Sequence, residues 1–460
     1  MFHRRSILKA GSVGLFGLSL PELLRLRQAA ASTVPSGTFG GAKSCILLFM
    51  WGGPAHQDTW DLKPQAPAEI RGEFKPIPTR VPGIQISEHF PMLASRTDKL
   101  TVIRSMTHGE LDHARAPHVM LTGQLPPSSG DFADDWPPLG SVMAKAGHSD
   151  GAMPPFVSLR PKLDNNVPQF IETSHGQSGG WLGRGYAPMM IEADPNGPDY
   201  RVGGDYDLHP EITVSRLDGR RQLLESLKVR LQQHSESSIA TMDRYYRRAF
   251  EILSDATASD AFDLELESDD IRDRYGKNPH GQTVLQARRL VERGVPLVTV
   301  FWPNDGTVDP PSLFWDTHRR NFVDLKQRLM PVADRAFSTL LDDLQERGLL
   351  DETLVVWTGE FGRTPRIGQF TNNAGTGADG RDHWPFCFTS VLAGGGTRDG
   401  FVYGSSDRYA AYPASDEVSP VDLMATVHHL LGLPPKLKLR DVQGRPRVVC
   451  PGEVVPGLMT

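Results

Sequence analysis

Short runs of mostly apolar residues recur along this chain and are separated by segments with helical spacing. The runs are four to six residues long, and they lie at 45–50, 100–103, 155–159, 296–301, 353–357 and 388–392. Runs of this kind are typical of strands that are buried on both faces, as in parallel sheets. Because helical patterns alternate with them, the sequence predicts an α/β fold with a central, mostly parallel sheet and helices on both faces.

The clearest amphipathic helix begins near His318. Its apolar positions recur every three or four residues, at Phe322, Leu325, Leu329, Val332, Ala336, Leu340 and Leu344. Gly348 is expected to end this helix, and Pro331 to kink it, because proline cannot donate a backbone hydrogen bond. A further helix is predicted at about 420–431.

The chain divides into one large domain and several smaller segments. Residues 44–445 are predicted to form the α/β domain, and residues 446–460 a C-terminal tail. Within the domain, residues 217–275 form a charged, helical excursion that ends in an acidic loop. Residues 32–43 are a tether rich in small residues, proline and glycine.

Residues 1–31 have the layout of an export signal. Arg4 and Arg5 precede an apolar run at 10–24, and three alanines at 29–31 offer a small-residue cleavage site. Paired arginines favour the twin-arginine pathway, which would place the mature protein in the periplasm or outside the cell. The alternative is a short membrane anchor, but the run is brief and rich in glycine and serine. We therefore expect cleavage and no membrane span in the mature chain.

The net charge excludes one class of partner. The chain of 460 residues carries a formal charge of −6, of which residues 1–31 contribute +4, leaving −10 for the rest. An acidic protein of this kind is not expected to bind nucleic acid non-specifically. Its three cysteines, Cys45, Cys387 and Cys450, allow one disulfide at most.

Acidic and histidine side chains follow the predicted strands. After the first run, two glycines allow a sharp turn that leads to His56 and Asp58. In an open α/β sheet, ligands bind beyond the carboxyl ends of the strands, so residues placed there gather at one edge. Taken alone, His56 and Asp58 fit a loop histidine and a helix N-cap as well as a binding site.

A second cluster follows the second run. The segment 107–118 contains three histidines, two acids and one arginine. Its candidates for chemistry are His113 and Arg115, which lie near a predicted helix N-terminus, where backbone N–H groups favour an anion. The alternative is a solvated loop with one histidine packed beneath it.

Two more clusters complete the set. Asp316 and His318 lie at the start of the long helix, where they suit either one metal ion or, for Asp316, an N-cap. Glu360 and Arg363 follow the run at 353–357, and His383 comes about twenty residues later, directly after Asp382. Such carboxylates and imidazoles can hold a hard or borderline cation, and arginine can pair with an anion. The alternative is a loop network of arginine and aspartate.

Six motifs recur together, at 51–59, 113–123, 315–318, 359–365, 380–384 and 392–396. In this combination the chain resembles the Domain of Unknown Function 1501 family, a sulfatase-like branch of the alkaline phosphatase-like superfamily. The resemblance covers about residues 43–445 and implies an alkaline phosphatase-like fold. It also implies one or two divalent ions, among Zn, Mn, Ca and Fe, that clamp the oxygens of a phosphate or sulfate ester.

The resemblance further implies roles for the candidate residues. The metal ligands would be His56, Asp58, Asp316, His318, Glu360 and His383. His113 would act as nucleophile or as general acid/base, and Arg115 and Arg363 would hold the anion. The implied function is metal-dependent hydrolysis of an anionic small-molecule or glycan ester.

Several residues depart from the superfamily pattern. Trp51-Gly52-Gly53 replaces the acid pair after the first strand, Phe361 replaces a ligand histidine, and His113 stands at the nucleophile position. No cysteine lies in a Cys-x-Pro-x-Arg motif, so formylglycine sulfatase chemistry is excluded. These departures favour the alternative of an exported binding or assembly protein that keeps the fold without the reaction. The oligomeric state stays open.

Overall fold

The computed structural model describes residues 37–148, 153–161, 169–197, 200, 219, 222, 260–303, 314–371 and 375–460. Within these residues, eight strands form one sheet: β1 (Ser44–Phe49), β2 (Leu100–Met106), β3 (Phe156–Arg160), β4 (Met189–Glu192), β5 (Leu297–Phe301), β6 (Thr353–Thr358), β7 (Phe388–Ala393) and β8 (Phe401–Tyr403). Their order across the sheet is β8-β2-β7-β6-β1-β5-β3-β4.

All strands of this sheet except β7 run in the same direction. Pairing is parallel between β1 and both β5 and β6, between β3 and both β4 and β5, and between β2 and β8. β7 is antiparallel to its neighbours β2 and β6. The predicted mostly parallel sheet is therefore confirmed, and each of the six apolar runs corresponds to one of its strands.

The two strands for which the sequence shows no apolar run, β4 and β8, lie at the edges of the sheet. Most of their residues are only half-buried. By contrast, every residue of β1, β5, β6 and β7 is buried, which explains their mostly apolar composition. The three cysteines are buried free thiols.

Helices pack against the sheet and against one another. The longer ones are α1 (Ala116–Thr122), α2 (Leu139–Ala146), α3 (Asp269–Tyr275), α4 (Pro279–Glu292), α5 (Met330–Glu346) and α6 (Pro420–Leu430); shorter ones are His56–Thr59, Ala68–Arg71, Pro91–Ala94, Gln169–Thr173 and Asn321–Asp324. In α4 and α6 a proline at the first position follows a side-chain cap, from Asn278 and Ser419 respectively. Both features favour helix initiation.

The long helix predicted from His318 changes its winding near its start. After Asn321–Asp324, the segment Leu325–Leu329 forms one π-helical turn, and α5 then begins at Met330. In a regular α-helix the ring of Pro331 would meet the carbonyl group four residues before it. The wider π turn relieves this clash, so the predicted distortion at Pro331 takes the form of a π turn.

Four short antiparallel pairs lie outside the main sheet: Pro76–Pro78 with Gln85–Ser87, Gly362–Arg363 with His383–Trp384, Ser405–Ser406 with Pro413–Ser415, and Lys438–Arg440 with Pro446–Val448. The second pair sets His383 opposite Arg363. The fourth pair joins the predicted tail at 446–460 to the domain, and Leu458 in this tail is fully buried. These last residues therefore belong to the folded domain.

Two predicted segments fall wholly or largely outside the described residues. They are the export signal at 1–31 and most of the excursion at 217–275, of which 219, 222 and 260–275 are described and the last range contains α3. In the part of the chain that is described, no helix is both long and apolar enough to cross a membrane.

Candidate metal centre

Four candidate side chains from separate parts of the sequence meet in one place. His113 comes from the loop before α1, Asp316 and His318 from the segment between β5 and α5, and His383 from the short pair with Arg363. One ligand atom of each of the four lies within 4.8 Å of those of the other three. We call these four residues the His/Asp cluster.

The contacts within the His/Asp cluster converge on Oδ1 of Asp316. This atom lies 3.2 Å from Nε2 of His113, 2.9 Å from Nε2 of His318 and 3.5 Å from Nε2 of His383. The Nε2 atoms of His318 and His383 are 2.9 Å apart. Ligands of a tetrahedral zinc ion lie about 3.3 Å from one another. The observed spacing therefore fits the donor atoms of a metal site.

The second ring nitrogen of each histidine also faces an oxygen atom. The partners of Nδ1 are Oε1 of Glu360 at 2.6 Å for His113, the carbonyl of Leu111 at 2.9 Å for His383, and Oδ1 of Asp382 at 3.4 Å for His318. Metal-binding histidines usually donate this N–H to a carboxylate or carbonyl, which orients Nε2 toward the ion. His113 and His383 have this arrangement, whereas Nδ1 of His318 faces Asp382 without a hydrogen-bond partner in the described part of the chain.

Glu360 is buried directly after β6 and depends on a glycine turn. Its Oε1 accepts the N–H of Gly52 at 2.8 Å in addition to contacting His113. Gly52 has a φ of +104°, and a Cβ there would lie 2.2 Å from the backbone nitrogen of Asp316. Only glycine therefore lets the segment carrying Asp316 approach so closely. Oε2 of Glu360 is buried and has no hydrogen-bond partner among the described residues.

Arg363, predicted to hold a substrate anion, is fully buried next to the cluster. Its Nη2 lies 2.5 Å from Oδ1 of Asp316, and its Nε donates to the carbonyl of Gly53 at 2.9 Å. The guanidinium thus balances the charge of Asp316 and links it to the glycine turn. All of these contacts lie within the protein, and a role for Arg363 in holding a substrate anion stays a prediction.

The charges shift pKa values within the cluster in opposite directions. Burial acts to lower the pKa of His113, but Asp316 and Glu360 outweigh it and raise that pKa to about 9. Burial lowers the pKa of His383 to about 3, and the nearby charge of His113 adds to this effect. Burial acts to raise the pKa of Asp316, yet His113 and Arg363 hold it well below its usual range. At neutral pH these shifts correspond to an ionised Asp316 carboxylate beside a protonated His113 and a neutral His383.

The predicted ligands His56 and Asp58 do not reach the cluster. Asp58 forms a buried salt bridge with Arg381, whose Nε lies 2.7 Å from Oδ2, and also accepts a hydrogen bond from Asn321. Nε2 of His56 contacts the carbonyl of Ala410 at 2.8 Å, and burial lowers the pKa of His56 to about 4. The negative charge of Asp58 is thus balanced by the guanidinium of Arg381, so a metal ion is not required to neutralise it.

Two other features describe the surroundings of the cluster. Arg115 pairs with Glu110, at 2.9 Å between Nε and Oε2, and its side chain is 39% exposed; its role in holding an anion stays a prediction. The imidazole of His113 stacks on Phe170 at a centroid distance of 4.4 Å and contacts the tilted ring of Phe361 at 4.9 Å. Phe361 could be noticed because it follows Glu360, whereas no sequence signal marks Phe170.

Residues 42–459 match the family described as "Protein of unknown function (DUF1501)". The chain belongs to this family. The resemblance inferred from the six motifs is therefore confirmed, and the DUF1501 match continues beyond the predicted domain boundary at residue 445. No curated protein matches the chain.

Several solved structures are similar to this DUF1501 chain at low sequence identity. The lipoteichoic acid synthase LtaP from Listeria monocytogenes is 11% identical, with a TM-score of 0.38 over 87% of this chain and 76% of that one. The PsFucS1 sulfatase from Pseudoalteromonas sp. is 11% identical, with a TM-score of 0.38 over 95% and 74% of the two chains. A protein in the alkaline phosphatase superfamily from Vibrio parahaemolyticus is 11% identical, with a TM-score of 0.36 over 90% and 76%.

Proposed function

We propose that this protein is an exported, metal-dependent hydrolase of an anionic ester, either a phosphate or a sulfate ester. The observation that carries the proposal is the His/Asp cluster, in which three imidazole nitrogens and one carboxylate oxygen lie within 4.8 Å of one another. Imidazole and carboxylate ligands of this kind bind zinc and other borderline cations.

The arrangement of the cluster histidines favours a bound cation over a hydrogen bond between the imidazoles of His318 and His383. Nδ1 of His383 faces the carbonyl of Leu111 and therefore carries the hydrogen, which leaves a lone pair on Nε2. This lone pair is directed at Nε2 of His318, 2.9 Å away. A cation held by both imidazoles would use both lone pairs. Nδ1 of His318 would then carry the hydrogen; it lies 3.4 Å from Oδ1 of Asp382 and has no hydrogen-bond partner among the residues that the structure describes.

The donor set narrows the choice of metal. Imidazole nitrogens suit Zn, Fe, Cu and Ni, whereas Ca²⁺ takes roughly six to eight oxygen ligands. Of the ions expected from the sequence, zinc and iron fit best and calcium fits least. A divalent ion in this position supplies Lewis acidity toward an ester oxygen and lowers the pKa of water.

We assign Asp316, His318 and His383 as the ligands and His113 as the general acid/base. The side chains of His113 and Asp316 are 9% and 13% exposed, so this side of the cluster is the one that a substrate can approach. His113 has a pKa raised to about 9 and therefore holds a proton at neutral pH, which it can transfer to a leaving-group oxygen. Glu360 orients this imidazole through Nδ1 and stabilises its charge.

A second candidate function is metal binding without catalysis. If His113 is itself a ligand, four protein donors would fill a tetrahedral coordination shell, as they do in structural zinc sites. His113 also stands at the nucleophile position of the superfamily pattern, in place of a serine, threonine or cysteine. The protein would then be an exported binding or assembly protein that retains an enzyme fold.

The proposal includes the cellular location and the substrate class. The paired arginines and the apolar run in residues 1–31 support export by the twin-arginine pathway to the periplasm or the outside of the cell. The substrate there would be a small anionic ester or an esterified glycan.

The proposal can be tested on the full-length exported chain by metal analysis combined with assays on p-nitrophenyl phosphate and p-nitrophenyl sulfate. We expect about one zinc or iron ion per chain and hydrolysis that a chelator abolishes. His113→Gln should retain the metal and lose hydrolysis. Loss of the metal in His113→Gln, with no hydrolysis by the wild type, would favour the binding protein. A folded protein that takes up no metal would refute both functions.

A further inference from the structure

Three aromatic side chains lie together next to His383, a proposed metal ligand. Trp384 follows His383 in the chain, and its ring centroid lies 5.0 Å from that of Phe386 and 5.6 Å from that of Tyr412. The ring centroids of Phe386 and Tyr412 are 6.0 Å apart. Tyr412 is 50% exposed and the other two residues are half-buried, so the group faces solvent. We call these three residues the aromatic platform; none of them has a role in the proposed reaction.

The loop at 407–412, which carries Tyr412, is held in place by hydrogen bonds. The N–H of Asp407 donates to the carbonyl of Tyr412 at 2.8 Å, and Oδ1 of Asp407 accepts the N–H of Ala411 at 2.9 Å. The indole N–H of Trp384 donates to the carbonyl of Ala411 at 2.6 Å. Trp384 therefore fixes the loop that presents Tyr412, and the two rings are in position before a ligand binds.

Ala410 gives this loop an unusual backbone conformation. Its φ is +54°, which is uncommon for a residue other than glycine. Ala410 is fully buried, and its carbonyl oxygen accepts a hydrogen bond from Nε2 of His56 at 2.8 Å. Residues in such conformations persist where the surrounding structure fixes them, and they are frequent at binding sites. The contact also gives a role to the buried His56, which the metal centre does not use.

The size of the aromatic platform suits a sugar better than a protein partner. One aromatic side chain offers about 150–250 Å² of surface, so these three, at most half exposed, present no more than about 300 Å². A specific protein interface buries about 800 Å² on each partner. An area of this size corresponds instead to one or two sugar rings.

The chemistry of aromatic rings also matches that of a sugar ring. The faces of a pyranose carry C–H groups with a slight positive charge, and the face of an aromatic ring is negative. Hydroxyl groups at the edge of the sugar need hydrogen-bond partners, and the loop at 407–412 offers the hydroxyl of Tyr412 and the exposed guanidinium of Arg408. This guanidinium lies 4.5 Å from the ring centroid of Tyr409, which keeps it beside the loop.

We propose that the aromatic platform binds one sugar ring of the substrate and that the cleaved ester lies on this ring or on the next one. The inference rests on the proposed function for the ester, and it narrows the substrate from any small anionic ester to an esterified glycan. Because Trp384 directly follows a metal ligand, a sugar on the platform lies beside the metal centre. Stacking involves neither the metal nor the charge of the ester, so an uncharged saccharide should also bind.

Calorimetric binding of uncharged tetrasaccharides to the full-length chain tests this proposal. The probes are cellotetraose, mannotetraose, neoagarotetraose and chitotetraose, and we expect at least one of them to bind, with or without zinc. Tyr412→Ala should weaken this binding about three- to tenfold, because it removes one stacking ring. Tyr412→Phe keeps the ring and should restore most of the affinity. The matched control is Phe39→Ala, which removes an equally exposed ring that contacts His429 and should leave binding unchanged.

Three outcomes would overturn the proposal. The first is that the wild type binds none of the four sugars, and the second is that Tyr412→Ala has no more effect than Phe39→Ala. The third is binding that disappears when zinc is removed, which would place the sugar at the His/Asp cluster. Failure of the hydrolase proposal is a separate result, because binding that persists without zinc and depends on Tyr412 supports the aromatic platform even in a protein that hydrolyses nothing.

Discussion

Nδ1 of His113 and Oε1 of Glu360 lie 2.6 Å apart in a buried contact. The same carboxylate oxygen accepts the N–H of Gly52 at 2.8 Å. The glycine turn therefore holds the Glu360 carboxylate in place, and this carboxylate in turn orients the imidazole of His113. A histidine whose Nδ1 is held in this way has only Nε2 available for proton transfer or metal binding. The acid–base behaviour of His113 should therefore depend on Glu360.

Glu360→Gln should weaken catalysis while the metal stays bound. The pKa of His113 is raised first by Asp316 and then by Glu360, and glutamine keeps the shape of the Glu360 side chain but removes its charge. We expect a fall in kcat of about 100-fold and a basic limb of the pH–rate profile that moves to lower pH. Parallel measurements of the pH profile and of metal content check this. An unmoved basic limb would show that Glu360 does not act through His113, and a lost metal would make Glu360 a ligand.

His383→Ala and Asp316→Ala should each abolish stable metal binding. Removal of a ligand should weaken zinc binding by more than about 100-fold, since even the loss of an outer hydrogen-bond partner of a ligand costs about 10- to 100-fold. Competition with a chromogenic chelator measures the affinity. The matched control is His89→Ala, a histidine that packs on Phe74 outside the cluster and should bind zinc as the wild type does. Full zinc content in His383→Ala would contradict the assigned ligand set.

Zinc affinity should rise as the pH increases toward 9. The proton on His113, whose pKa is raised to about 9, places a positive charge beside the site and opposes a cation until it is released. Near pH 7 His113 keeps this proton as the general acid, so we expect zinc binding to release less than about one proton per ion there and more near pH 9. Calorimetry in buffers of different ionisation enthalpy counts these protons, and His113→Gln should show no such rise in release. Release of a full proton near pH 7 would contradict the assignment of His113 as the general acid.

Much of the candidate site follows from the sequence because parallel strands end at one edge of a sheet. His113, Asp316 and His383 come after different strands and are far apart in sequence, yet strand order alone suggests that they gather. Sequence cannot show which acid at that edge is already neutralised. Asp58 is matched by Arg381, 323 residues away, and no local pattern reveals this pairing.

The strands of the fold could be predicted from the sequence where burial on both faces restricts the residues to mostly apolar types. Strands β1 and β6 lie in the centre of the sheet, and their residues 45–49 and 354–357 are all apolar, so their sequences identify them. The edge strand β8 has only half-buried residues and therefore lacks such a run. The contact of Phe170 with His113 also joins distant parts of the chain, and it depends on tertiary packing that the sequence pattern does not encode.

His113 should make the stability of the metal-free protein depend on pH. Its pKa in the folded protein, about 9, lies above the ordinary value of 6.5, so the folded state binds the proton more tightly than the unfolded state. The resulting stabilisation is complete below pH 6.5 and is lost as the pH rises through about 9, by up to about 3 kcal/mol. Urea unfolding at pH 6 and at pH 9.5 measures this loss. His113→Gln should lose less stability over the same interval, and an equal loss would assign the effect to other groups.

The buried pair of Asp58 and Arg381 should support the fold without binding metal. Asp58→Asn leaves the Arg381 guanidinium, which is fully buried, without its charge partner, and such a loss typically costs about 3–5 kcal/mol. We therefore expect a clear drop in the free energy of unfolding of the metal-free protein and an unchanged zinc content. Asp58→Asn combined with Arg381→Met should recover part of the loss, because it removes the unpaired charge. If Asp58→Asn lowered the metal content and left the stability of the metal-free protein unchanged, the result would instead support Asp58 as a ligand of a second ion.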